Sequence, residues 1–395
     1  MNELESAERV WKALDSFQIE IPSWGFANTG TRFGKYLQPA AATTIEEKFA
    51  DAAQVHALTG VSPTLALHVE WDLPRGLDDV SVVQRLEKQY GVGAGSINPN
   101  LFQSQEYKFG SICNPDPAVR QKALDHILHS IEIARQLGSR DISLWVADGS
   151  NYPGTQSIRN RIVWMQEVLG EAHARLGPEQ RLLIEYKPFE PAFYHTDIAD
   201  WGMALELARS AGPQARVLVD TGHHYQAQNI EQIVAWLLHL EMLGGFHFND
   251  RRYADDDLTL GSIDPYQVFR IFVEILAAEP NAAAEIAFMI DQSHNLKGKI
   301  EAMVQTVVTA QELFAKAALV DLDELATLQT ECRLVEAEEC FRTAFWHDVR
   351  PVVKNWRTAR GLTANPLEAL GKSGYVERIT AERAAKNAKG VSSYA

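Results

Sequence analysis

The sequence predicts a (β/α)8 barrel with an additional C-terminal helical extension. Short apolar runs alternate eight times with helical stretches over roughly 300 residues, the length such a barrel needs. No Gly-x-Gly-x-x-Gly follows the first strand, which counts against the rival open, doubly wound sheet. From about Asp321 the strand-like runs stop and charged helical sequence takes over.

The elements follow in order. Residues 2–17 read as an amphipathic helix with Leu4, Val10, Trp11, Leu14 and Phe17 as its apolar members. Ile19 to Trp24 is the first strand, and a Gly- and Thr-rich loop carrying Arg32 and Phe33 follows. Thr43 or Thr44 caps a helix through about Leu58, with Glu46 and Glu47 suited to its first turn. Leu65 to Val69 is the second strand, Asp78 to Tyr90 a helix, and Gly93 to Asn98 a weak, glycine-rich third strand. The helix from Pro117 to Leu137 has proline in its first turn and Gly138 at its end. Ile142 to Val146 is the fourth strand, and a helix from Ser157 to Arg175 leads to the fifth, which ends at Glu185. A helix over Trp201–Ser210 feeds the sixth strand, and one over Ile230–Leu243 feeds the seventh. Pro265–Ala278 feeds the eighth, and a helix from Gly298 to Ala318 completes the alternation. The extension reads as one helix over Asp321–Ala344 and shorter pieces to Arg383, with a frayed end. The expected division is a catalytic barrel over 1–320 and an extension over 321–395. That extension is expected to pack on the barrel, on a neighbouring subunit, or on both.

Fifty-two acidic residues against 37 basic ones give a formal charge of −15, which disfavours a nucleic-acid partner. The 46% apolar content supports a sizeable core, yet no uncharged apolar run is long enough for a membrane span. The N-terminus is acidic and has no apolar signal core. Cys113, Cys332 and Cys340 lack metal or disulfide spacing and read as reduced thiols, so a cytoplasmic location is expected.

The last four strands each close on a metal-type ligand: Glu185, Asp220, His247 and Asp291. A polar residue closing a buried strand is costly without a partner, and in a barrel these ends share one rim. Any one of them alone reads as a cap or ion-pair residue; four together point to a shared divalent cation, with Mn²⁺, Mg²⁺ or Co²⁺ suiting the ligand set. His223, across a glycine turn from Asp220, and the pair Asp255 and Asp257 offer ligands for a second cation, with Glu185 shared. Asp255 and Asp257 share a direction in extended backbone. The bland reading of that pair is a solvated charge run. Glu185, Asp220, Asp255, Asp257 and Asp291 carry −5 together; two divalent cations leave −1, and Lys187 brings the sum to zero. The plain alternative for Lys187 is an ion pair with Glu185. Trp24, His68, Trp71 and Trp145 close strands one, two and four, where rings can cover the C–H face of a sugar or simply pack into the core.

Several irregular strings carry a resemblance. They are Pro22-Ser23-Trp24-Gly25, Thr29-Gly30-Thr31-Arg32-Phe33, Leu67-His68, Trp71-Asp72, Gly149-Ser150-Asn151 and Glu190 to Tyr194. Val219-Asp220-Thr221-Gly222-His223-His224, Gly245 to Asp250 and Met289 to His294 continue the set. From about Ile21 to Gly298 the chain resembles the L-rhamnose isomerase family, above all its broad-specificity pseudomonad and rhizobial subtype. The resemblance implies a homotetrameric, metal-dependent barrel that interconverts an aldose and a ketose, with a free monosaccharide as partner. It implies two divalent cations per subunit, with Mn²⁺ first and Co²⁺, Mg²⁺ or Zn²⁺ as alternatives. Glu185, Asp220, His247 and Asp291 would hold the structural metal, and His223, Asp255 and Asp257 the catalytic one. Lys187 and Ser293 would stand near the reacting oxygens, with His68, Trp71 and Trp145 in the sugar pocket. Tyr186 stands where histidine is expected, and Glu70 where proline is expected, which bears on the preferred sugar. The expected activity is aldose–ketose isomerisation, L-rhamnose to L-rhamnulose or a related pair, by a metal-assisted hydride shift between C1 and C2. Lys187, Asp291, Ser293 and His223 would carry it. The alternative is a ketose 3-epimerase working by proton transfer.

Overall fold

A computed structural model of the chain describes residues 3–28, 36–150, 152–190, 194–278, 285–294 and 296–388. Its eight barrel strands are β1 (Ile21–Pro22), β2 (Thr64–His68), β3 (Gly93–Asn98), β4 (Asp141–Leu144), β5 (Arg181–Glu185), β6 (Ala215–Asp220), β7 (Leu243–Phe248) and β8 (Ala287–Ile290). Each pairs in parallel with its sequence neighbours, in that order. The ring closes between β8 and the residue before β1. Glu20 N–H donates to Phe288 O at 2.8 Å, and Ile290 N–H donates to Glu20 O at 2.9 Å. The predicted barrel is therefore the observed one.

The helix starts follow from side-chain caps. Thr44, Asp116, Ser157, Asp200, Asn229 and Asp264 each accept a hydrogen bond from a first-turn N–H. Two predicted helices end early. The one expected to reach Leu243 stops at His239, and the one expected over Asp321–Ala344 splits into Leu322–Thr330 and Leu334–Trp346. The cause is the same in both. Glu241 (φ 56°) and Cys332 (φ 55°) adopt the left-handed conformation. The following N–H groups, Met242 and Arg333, reach back to Leu237 O and Leu328 O. That is a Schellman stop built without glycine, so nothing in the residue types announces it.

The extension packs on the barrel's own helices. Trp11 Nε1 donates to Val352 O at 3.3 Å, and Trp356 Nε1 donates to Asp15 at 2.9 Å. The buried Arg357 guanidinium donates to Gln311 on the Lys299–Ala317 helix. No helix among the described residues is long and apolar enough to cross a membrane. Cys113 is buried, Cys340 half-buried and Cys332 exposed, all as free thiols.

Candidate active site

Alternation along the strands brings the four predicted ligands together. Leu183, Leu218 and Met289 form a small core of their own inside the barrel. Residues two positions further along a strand point the same way. Those residues are Glu185, Asp220 and Asp291, and His247 stands in the same relation to Gly245. Each of the four offers a ligand atom, and these atoms lie within 4.8 Å of one another. Three of the residues are buried and Asp291 is half-buried.

Their orientations are fixed from outside the cluster. Asp220 Oδ1 accepts from Gly222 N–H at 2.7 Å and from Asn249 Nδ2 at 3.0 Å. A side chain at Gly222 would strike Asn249 Oδ1, 2.5 Å from the Cβ position, so this turn needs glycine. Asp220 Oδ2 is left buried and without a hydrogen-bond partner. Asp291 Oδ1 accepts from Trp24 Nε1 at 2.7 Å. His247 Nδ1 lies 3.2 Å from Glu185 Oε2, while its Nε2 has no hydrogen-bond partner.

The ionisation of the cluster follows from this crowding. Burial, reinforced by Glu185 and Asp291, raises the Asp220 carboxyl to about 7. Burial and Glu185 move Asp291 upward as well. Burial opposes the His247 imidazolium, but Glu185, Asp291 and Asp220 outweigh it and raise that group to about 9. Burial also opposes the Glu185 carboxylate, yet His247 and His223 hold its pKa well below the usual range. Protons are thus retained where positive charge is wanted. With Asp220 Oδ2 and His247 Nε2 unsatisfied, the donor set fits a hard or borderline divalent cation.

The second predicted ligand group adjoins the first. His223 Nδ1 lies 3.2 Å from Glu185 Oε1, and its Nε2 lies 3.4 Å from Asp255 Oδ1. Asp255 and Asp257 share a hydrogen bond; burial and the Asp255 charge push the Asp257 carboxyl well up. Asp257 does not lie in extended backbone as expected, since its φ is 47°. A bent loop, pinned by the Asp250–Leu258 bridge, turns both carboxyls to one side. Asp256 instead accepts from the Arg252 and Tyr253 N–H groups. Lys187 pairs with Asp255 at 2.6 Å and Glu190 at 3.3 Å, which corrects the simple pairing with Glu185.

The first four strands supply an aromatic wall. Ring centroids lie 4.7 Å apart for Trp24 and His68, 4.2 Å for His68 and Trp71, and 4.7 Å for Phe102 and Trp145. Burial drives the His68 imidazole down to about 3, so it is neutral. Lys187 Nζ lies 5.3 Å from the Trp145 ring, joining the wall to the charged side. Ser293 is buried, with its hydroxyl 3.4 Å from Lys299 Nζ. Phe102, which touches His68, Trp71 and Trp145, was not singled out by sequence reasoning, because it lies in an unpatterned loop beyond β3. Glu190 is buried at Lys187 without having been assigned a role. Glu70 is exposed, and Tyr186 is buried with its hydroxyl 2.7 Å from His224 Nε2. Residues 29–33, 151 and 191–193 of the quoted strings lie outside the described residues.

Residues 51–289 match the model of the xylose isomerase-like TIM barrel family. A probable sugar isomerase of Rhizobium meliloti (strain 1021) is 38% identical over 385 residues, covering 96% of this chain and 89% of that relative. The chain belongs to the xylose isomerase-like TIM barrel family. Within it, a xylose isomerase of Thermus thermophilus is 28% identical over 213 residues, or 50% of this chain and 54% of that relative. Among solved structures, the 3-keto-D-glucoside 4-epimerase from E. coli shares the fold with a TM-score of 0.55 at 14% identity, covering 75% of this chain and 99% of that one.

Proposed function

We propose that this family member is a divalent-cation-dependent aldose–ketose isomerase acting on a free monosaccharide, L-rhamnose or a related aldose. The observation that carries the reading is the convergence of buried Glu185, Asp220 and His247 with half-buried Asp291 within 4.8 Å, beside an aromatic wall. These four would hold one cation, and His223, Asp255 and Asp257 a second, with Mn²⁺ the preferred ion. When bound, such a cation acts as a Lewis acid toward sugar oxygens.

The chain's own residues do the rest. Trp24, His68, Trp71 and Trp145 cover the sugar's C–H face and exclude water. The Lys187 ammonium, held by Asp255 and Glu190, stabilises negative charge developing on the carbonyl oxygen. Ser293 is poised to hydrogen-bond the reacting end of the sugar. Glu190 is already engaged by Lys187, which favours hydride movement over carbon deprotonation by a carboxylate. In that reaction the C2–H passes to C1 with its electron pair. The O2 proton passes to O1, so the aldose becomes a ketose with no outside oxidant.

A panel of aldoses with Mn²⁺ and with Co²⁺, run in D2O and read as ketose formation, tests the reading. Ketose formed with little deuterium at carbon supports it. Deuterium washed into carbon would favour 3-epimerisation or another proton-transfer route. Full activity in a metal-free preparation would refute it.

A further inference from the structure

The C-terminal helix, Tyr375–Asn387, is far in sequence from every candidate site residue, yet it ends beside the mouth of the barrel. Its buried Arg383 forks onto Asp51 at 2.7 and 2.9 Å and donates to Ala40 O at 2.9 Å. One turn later Asn387, 8% exposed, uses both ends of its amide. Its Nδ2 donates to Pro39 O at 2.9 Å and Ala41 O at 3.0 Å, and its Oδ1 accepts from Asn28 Nδ2 at 2.9 Å.

The chain of hydrogen bonds continues across the rim. Asn28 Oδ1 accepts from Gln38 N–H at 2.9 Å. Gln38 Nε2 then donates to His294 O at 3.1 Å and to Lys297 O at 2.7 Å, in the segment that follows β8. Lys297 Nζ in turn donates to Thr259 Oγ1 at 2.7 Å, in the loop after β7. The stretch so pinned is tied back to the first strand, because Ala42 N–H donates to Phe26 O at 2.8 Å.

Both anchor points flank one carboxylate. Trp24, which donates to Asp291, lies just before Phe26 and Asn28. Ser293 and His294 lie just after Asp291. Docking a helix onto a barrel needs apolar contact and exposed pairs such as Lys386 with Glu47. It does not need an amide buried at the helix end with three partners, since each such group is costly unless fully matched.

We propose that Asn387, Asn28 and Gln38 are positioning residues through which the C-terminal helix sets the geometry of Trp24 and Asp291. The kinetic consequence rests on the isomerase reading; the structural one does not. The variants are Asn387→Ala and Gln38→Ala, with Lys386→Ala as the control on the same helix. Amide hydrogen exchange, read without metal or sugar, should quicken about tenfold at Ala27, Ala42 and residues 290–294, with β5 unchanged. The KM for the aldose should rise about fivefold while kcat stays within about twofold. The double variant should be no worse than the stronger single one, because both break one chain. Lys386→Ala should match the parent in every readout. Unchanged rim exchange in Asn387→Ala would overturn the proposal, as would exchange that rises equally in β5. Should Asn387→Ala fail to fold, Gln38→Ala carries the same test with every contact of the extension intact. If no aldose is turned over, the exchange pattern still decides.

Discussion

The two halves of the barrel mouth are built on opposite physics. The half from β1 to β4 presents rings, and the His68 imidazole among them is held neutral. The half from β5 to β8 presents acids and imidazoles packed closely enough that protons stay on Asp220 and His247 near neutrality. Burial is the first cause in both, since it disfavours charge. In the aromatic half nothing opposes it strongly enough. In the charged half the groups are too crowded to escape one another, and only a cation or retained protons can neutralise them. One half is therefore shaped to cover a ligand and the other to fix a charge.

Asp220→Asn should break the charged half most completely. It removes an anion from the cluster, and cation-dependent turnover should fall by more than about a hundredfold, the upper cost of losing even an outer-shell partner. In chelator the same variant should melt no lower than the parent, because a buried acid with an unsatisfied oxygen has gone. Kinetics with Mn²⁺ and calorimetry in chelator check the two halves of that statement. A variant that kept Mn²⁺-dependent turnover would remove Asp220 from the site.

In the metal-free chain Asp220 and His247 should titrate with the opposite sign to His68. Asp220 moves from 3.8 unfolded to about 7 folded, and His247 from 6.5 to about 9. In those windows the folded state holds the extra proton, so their stability contribution is lost as pH rises through about 7 and about 9. His68 moves from 6.5 to about 3, so there the unfolded chain holds the extra proton, and stability is lost as pH falls below 6.5. Melting temperature in chelator should thus decline on both sides of a maximum. Saturating Mn²⁺ should lift the alkaline side most, since binding favours the deprotonated ligands. An alkaline limb indifferent to Mn²⁺ would separate the cation from these groups.

The difference between the halves also explains what sequence reasoning could reach. The charged half was legible because its residues close strands, and period-two alternation turns Glu185 and Asp291 to the side of Leu183 and Met289. The helix starts after Thr44 and at Pro117 were readable for an equally local reason, a capping hydroxyl in one case and a first-turn proline in the other. Phe102 and the Lys187–Asp255 pair depend on loops, where no period constrains direction. The stops at Glu241 and Cys332 went unseen because their left-handed conformation is held by backbone hydrogen bonds and not by glycine. The brace from Asn387 to Gln38 joins residues too far apart for any local pattern to link.

Trp71→Ala and Trp145→Ala sharpen the aromatic half. Each removes a ring face worth about 1 kcal/mol beyond area burial, so KM should rise on the order of tenfold. Mn²⁺ affinity, read by calorimetry, should stay within about twofold for Trp71→Ala, because its indole donates to Gln103 and not to a carboxylate of the cluster. Trp24 is the deliberate contrast. Its indole holds Asp291, so Trp24→Phe should weaken Mn²⁺ binding while keeping most of the ring. Equal effects at Trp24 and Trp71 on the cation would mean the halves are not separable.

Phe102→Leu should give the smallest effect and is the most exacting test. The ring makes tilted or edge-on contacts with His68, Trp71 and Trp145, bridging β2 to β4. Leucine fills most of the volume, so unfolding free energy should drop by less than about 1.5 kcal/mol. What it loses is the flat edge that keeps Trp71 and Trp145 apart, so KM should rise about threefold, with kcat and Mn²⁺ affinity unchanged. A fall in kcat at constant KM would mean that Phe102 acts through Lys187, which lies over the Trp145 ring, and the wall would then be part of the charge-handling machinery.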